Sequence, residues 1–206
     1  ALPAWARASY EGRYHNAAFV NISTAYPDSE DYLRDARQVV TLTPWNRWWY
    51  KIGDLRIHGR RSWLGGYPDW EKKIVYYNTA RRPLNSIYDT IVLHHTDNAF
   101  TILPNELKQQ WRGYAALGYH FFVERVTSMV YEGRPIECMG SNAGKNEDVP
   151  GPLNDPDWGK IGVVLQGDFH SADNSFFDSS VWEGQFAAMK NLVQKLAKKY
   201  GINRLV

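Results

Sequence analysis

The run Ile91-Val92-Leu93-His94-His95-Thr96-Asp97 constrains the fold of this chain more than any other stretch. Three successive aliphatic residues favour a short strand covered on both faces. Such a strand delivers His94 and His95 to its C-terminal end, where α/β sheets place their chemistry. Imidazole is the commonest protein ligand for a metal ion. A His-His pair after an apolar run also serves packing and a loop hydrogen bond, so the pair by itself leaves both readings open.

The rest of the chain supplies partners for that strand. Gly118-Tyr119-His120-Phe121-Phe122-Val123-Glu124 reads as a second short apolar strand, entered through a glycine. Val126-Thr127-Ser128 reads as a hairpin turn into Met129-Val130-Tyr131-Glu132. Ile161 to Leu165 is the next most apolar stretch, expected beside the central strand. Glu106 to Leu117 predicts a helix with Leu107, Trp111, Tyr114 and Ala115 on one face, Pro104 near its start and Gly118 at its end. Trp182, Gln185, Phe186, Met189, Leu192, Val193, Leu196, Ala197 and Tyr200 recur at helical spacing, and Gly201 closes that helix. A shorter helix is expected from Asp31 to Val39, with Ser29 and Asp31 as capping types.

Charge and composition exclude some classes. A net charge of +2 lacks the strong basic stripe of a dedicated nucleic-acid binder. Cys138 is the sole cysteine, so no intrachain disulfide forms and the redox compartment cannot be read. No apolar run approaches the roughly 20 residues of a transmembrane helix. The chain starts at Ala1 rather than Met, which fits either a removed signal peptide or a trimmed chain. The aromatic cluster Thr43-Pro44-Trp45-Asn46-Arg47-Trp48-Trp49-Tyr50 reads either as a sugar-stacking platform or as an arm packed over the main domain.

Taken in order, five stretches resemble the zinc-dependent type 2 N-acetylmuramoyl-L-alanine amidases, in the branch with peptidoglycan recognition proteins and phage amidases. They are Arg60 to Gly66, the His94-His95-Thr96 motif, Gly118 to Glu124, Met129 to Pro135, and Ile161 to Phe169. The resemblance runs from about Arg60 to Val206. It implies an α/β fold with a central mixed β-sheet flanked by helices. Residues 56–206 would be the amidase-like catalytic domain and residues 1–55 an N-terminal extension. It implies a hydrolase that cleaves the amide between N-acetylmuramic acid and L-alanine of the stem peptide. Peptidoglycan or a muropeptide would be the partner, and the location secreted, periplasmic or at the cell envelope.

The resemblance also implies roles. Amide hydrolysis at neutral pH needs an activated water and a way to hold the oxyanion; zinc with three protein ligands and one open position supplies both. His94 stands as the first zinc ligand, with His95 supporting it. Tyr119 stands where a phenol assists the tetrahedral intermediate, or else is structural. Thr96, Asp97, Trp111 and Asn142 are groove candidates for the muramyl-peptide. Asn142 lies in the Gly140 to Gly144 loop, where the family often has histidine. Glu132 and Arg134 are expected to pair and fix the hairpin, and Trp63 to anchor the core. The family's second histidine and third ligand follow a strand that Leu205-Val206 would begin. None of His15, His58, His95, His120 and His170 stands in that position, nor does Cys138. One Zn2+ ligand is therefore visible in this chain. A later segment, or a separate C-terminal fragment, would complete the site; the alternative is a peptidoglycan-binding module without catalysis.

Overall fold

A computed structural model describes residues 45–65, 68–69, 72, 74–77, 79, 82–143, 155–169 and 179–206. The expected Asp31 to Val39 helix, residues 144–154 and His170 lie outside the described residues. The chain builds a mixed seven-stranded sheet from β1 (Trp49–Ile52), β2 (Leu55–His58), β3 (Thr90–His95), β4 (Phe121–Val123), β5 (Val130–Glu132), β6 (Lys160–Leu165) and β7 (Arg204–Leu205). Their spatial order is β1-β2-β5-β4-β6-β3-β7. Among the described residues two α-helices accompany it, α1 (Ile102–Trp111) and α2 (Ser179–Tyr200). The architecture is the expected α/β class, and it places a strand of the sheet as early as Trp49.

The parallel heart of the sheet is β4-β6-β3-β7. Leu93 pairs with Val163 and Val163 with Phe121, so these three side chains share a face. That face packs on Leu192 and Leu196 of α2 in the main core. The residues one step on, His94, Val164 and Phe122, are likewise in register and share the opposite face. There Val164 and Phe122 pack with Ile102 of α1, Trp63 and Leu117. The strand alternation thus sends His94 and His95 to opposite sides of the sheet.

The final helix follows its apolar spacing. Leu192, Leu196 and Tyr200 are buried, and Gly201 leaves the helix at φ +71°, a left-handed conformation that suits glycine. The side chain of Trp182 is outside the described residues. Gln185 is buried among these apolar residues and donates to Val123 O at 2.9 Å and Gln166 O at 3.0 Å.

The helix expected over Glu106 to Leu117 differs from α1 in position and in orientation. It starts at Ile102 behind Thr101 and is over by Trp111, so Gly118 does not end it. Leu107, Trp111 and Tyr114 are exposed rather than buried; Trp111 is 93% accessible. Periodicity identifies the stripe, but polar residues took the inner side instead. Glu106 is buried because Arg60, also buried, bonds both its oxygens, and its Oε2 also accepts the Leu117 backbone N–H at 3.0 Å. The Arg60 guanidinium lies 4.8 Å from the ring centres of both Trp45 and Trp63 and also donates to Gly65 O and Gly133 O. Trp63 is the buried anchor that the sequence suggested, its indole N–H on Glu132 O at 3.0 Å.

The hairpin of β4 and β5 forms as expected. Its expected charge pair does not. Glu132 faces Arg47, 3.3 Å away, whereas Arg134 donates to Leu117 O and Met139 O. Both side chains are buried, and each takes the partners that reach its own pocket. Among the described residues no helix is long and apolar enough to cross a membrane.

Candidate functional site

Three of the sequence-predicted residues converge on the α1 face of the sheet. His94 sits at the end of β3, and its ring centre is 5.1 Å from that of Tyr119, tilted by 53°. Its Nε2 is buried and has no hydrogen-bond partner among the described residues. Burial lowers the pKa of His94, the neighbouring Asn142 side chain works against the fall, and charge on His95 adds to it. The imidazole is therefore neutral at neutral pH, with a lone pair open to an electrophile. Burial raises the pKa of the Tyr119 phenol, with the Asp157 and Tyr114 charges adding to it, so the phenol keeps its proton as a donor.

Asn142 is brought to the same place by a buried carboxylate. Asp157 Oδ2 accepts the backbone N–H of Asn142 at 2.9 Å and of Ala143 at 3.1 Å. The Asn142 amide donates to Gly118 O at 3.1 Å. Two glycines make room: a Cβ on Gly162 would stand 2.7 Å from Asn142 Nδ2, and one on Gly140 would stand 2.8 Å from it. Burial raises the pKa of Asp157, opposed by the two N–H groups it accepts. Sequence reading missed Asp157. Its signal, an Asp inside an acidic and proline-rich loop, is that of a solvated residue, and only the fold buries it.

His120 supports the floor. It is fully buried; its Nδ1 accepts the Gly162 N–H at 3.0 Å, so Nε2 carries the proton and donates to Cys138 O at 2.8 Å. Burial pulls its pKa down to about 4, so it stays neutral and structural, as the sequence suggested.

The other groove candidates fall elsewhere. Thr96 spends its hydroxyl on the loop, donating to Asn98 O at 2.7 Å and accepting the Gly167 N–H at 3.0 Å. Trp111 stands on the outer surface at the end of α1. Asp97 is exposed and belongs with His95 and Asp168, whose donor atoms all lie within 4.8 Å of one another. That trio is the one group of three metal-ligating side chains among the described residues, and it does not contain His94. His94 thus fits a zinc ion as a single half-buried ligand; the described residues do not complete the three-ligand set that mononuclear zinc uses.

The sequence model of the N-acetylmuramoyl-L-alanine amidase family matches residues 83–206. No curated protein matches the chain. Among solved structures it is similar to the N-acetylmuramoyl-L-alanine amidase LysC from Clostridium intestinale URNW. Identity there is 27% over 59% of this chain and 70% of that one, with a TM-score of 0.43. It is also similar to the Ph2119 endolysin from Thermus scotoductus MAT2119 bacteriophage Ph2119. That match has 23% identity, covers 79% of this chain and 81% of that one, and has a TM-score of 0.40. Peptidoglycan recognition protein PGRP-SA of Apis mellifera is 15% identical over 72% of this chain and 82% of that one, with a TM-score of 0.47. With its His94-His95-Thr96 motif at the end of the central strand and a family match over more than half its length, the chain belongs to the type 2 N-acetylmuramoyl-L-alanine amidase family.

Proposed function

We propose that this domain is a zinc-dependent peptidoglycan hydrolase that cleaves the amide between the lactyl group of N-acetylmuramic acid and L-alanine. The observation that carries this reading is His94: a half-buried, neutral imidazole whose buried Nε2 has no hydrogen-bond partner among the described residues, beside Tyr119 and Asn142, at the carboxyl end of a central strand. His94 would hold the zinc together with ligands outside the described residues. When bound, the metal supplies a Lewis acid and an activated water. Tyr119, kept protonated, donates a hydrogen bond to the oxygen on which negative charge develops. Asn142, locked by Asp157 and Gly118, offers amide groups to the peptide portion of the substrate. Because the substrate is the cell wall, the site of action is outside the cell or in its envelope.

Because the described residues bring no second metal ligand to His94, a second reading stands beside the first, a module that holds muramyl-peptides without cutting them. One experiment separates the two. The purified chain is incubated with peptidoglycan, with zinc and with a chelator, and new L-alanine amino termini are counted. Zinc-dependent release supports the hydrolase. Sedimentation with peptidoglycan without any release supports the binding module.

A further inference from the structure

The far face of β3 carries a second cluster. His95 ends the strand on the α2 side, where its ring meets Phe169 edge-on at 5.9 Å, and Phe169 in turn meets Phe186 of α2 at 5.9 Å. Asp97 follows two residues later, and Asp168 follows the parallel neighbour β6 by three. The two strand ends are sewn together. Thr96 N donates to Leu165 O at 3.0 Å, Asp97 N to Gly167 O at 2.9 Å, and Gln166 Nε2 to Ala99 O at 2.7 Å. One imidazole nitrogen and two carboxylate oxygens are thereby held within 4.8 Å of one another.

We propose that His95, Asp97 and Asp168 form a binding site for a divalent metal ion, separate from the His94 groove and on the other side of the sheet. The donor set decides the ion class. One nitrogen and two hard oxygens suit a borderline or hard divalent ion such as Mn2+ or Zn2+, with water filling the remaining positions. Two bonds of about 2.1 Å to one ion span at most about 4.2 Å, so donors within 4.8 Å of one another need only small side-chain movements to share an ion. Two carboxylates this close repel each other, and a dication between them replaces that repulsion with attraction.

The location gives the ion a task. It would tie the carboxyl ends of β3 and β6 together one residue from His94. The ion is then a structural clamp under the groove and does not touch substrate.

The test is metal binding and is independent of amidase activity. The 206-residue chain is stripped with chelator, dialysed, and titrated with Mn2+ while free Mn2+ is followed by electron paramagnetic resonance. The wild type should take up one Mn2+ per chain at this site. H94A should leave that uptake unchanged. The double variant D97N/D168N, its fold checked by circular dichroism, should lose it. If the double variant does not fold, D97N alone serves, because Asp97 is exposed and its left-handed φ of +55° suits asparagine equally; its affinity should fall at least tenfold. Absence of saturable uptake by the wild type overturns the site. So does uptake that survives the Asp substitutions, or uptake that H94A abolishes.

Discussion

The His94 and Tyr119 rings stand 5.1 Å apart, one delivered by the end of β3 and the other by the approach to β4. Neither strand touches the other; β6 lies between them. The pair therefore depends on the register of three strands. His94 is level with Val164 and Phe122, and Tyr119, three residues before Phe122, meets the His94 ring from the approach to β4.

Replacing Tyr119 by phenylalanine tests the phenol directly. The ring packing on His94 is kept and only the donor is lost. We expect kcat for muramyl-peptide cleavage to fall by about 100-fold, with KM changed little. A proportional rise in KM without a change in kcat would reassign Tyr119 to binding. His94→Ala should reduce cleavage to background while the urea midpoint stays near that of the wild type.

Gly162→Ala probes the Asn142 cradle. The new Cβ would come within 2.7 Å of the Asn142 amide nitrogen, the movable end of a side chain. Stability should fall by only about 1 kcal/mol. Peptide affinity should fall several-fold, because Asn142 must leave Gly118 O. Titration with a muramyl-peptide measures it.

The Arg60–Glu106 pair is a stability prediction. Both side chains are buried, and Glu106 also holds the Leu117 N–H. Glu106→Ala leaves a buried guanidinium without its counter-charge and should cost about 3–5 kcal/mol in urea unfolding. A loss below about 1 kcal/mol would mean that water replaces the carboxylate.

The pH dependence of stability carries two opposed contributions. Burial raises Glu132 from 4.5 to about 7, with Arg47 opposing the rise. The folded chain then holds a proton that the unfolded chain gives up between those values, so this contribution falls as pH rises through that window. His120 is pulled down to about 4, so its contribution is full above 6.5 and is lost as pH falls toward 4. The two largely cancel in the wild type. Glu132→Gln should unmask His120, with stability rising by about 2 kcal/mol from pH 5 to pH 7. Urea melts at the two pH values decide it; a flat profile in the variant would remove His120 as the source.

Much of this site is legible in the sequence because it is carried by ordered motifs. Strand alternation fixes the side of the sheet for His94, while Tyr119 and Asn142 lie outside the strands and are placed by the loops around Gly118 and Gly140. What periodicity does not encode is the direction in which a helix faces. In α1 the stripe of Leu107 and Trp111 lies outward because Glu106 finds Arg60, distant in sequence, on the inner side. Asp157 and Arg134 are hidden for the same reason. Charged residues in loops read as solvated until the partners that bury them are known, and here those partners are backbone groups of other segments.

The two adjacent histidines of β3 answer to different halves of the molecule, one to the groove and one to the α2 side. Exchanging Ile91 or Val92 for another aliphatic residue leaves that division intact. Inserting or deleting a single residue in the strand would not: it would turn His94 inward toward α2 and present its neighbour to the groove. The strand is therefore open to substitution but closed to changes of length, and natural variation in this segment should be found in side-chain identity and never in residue count.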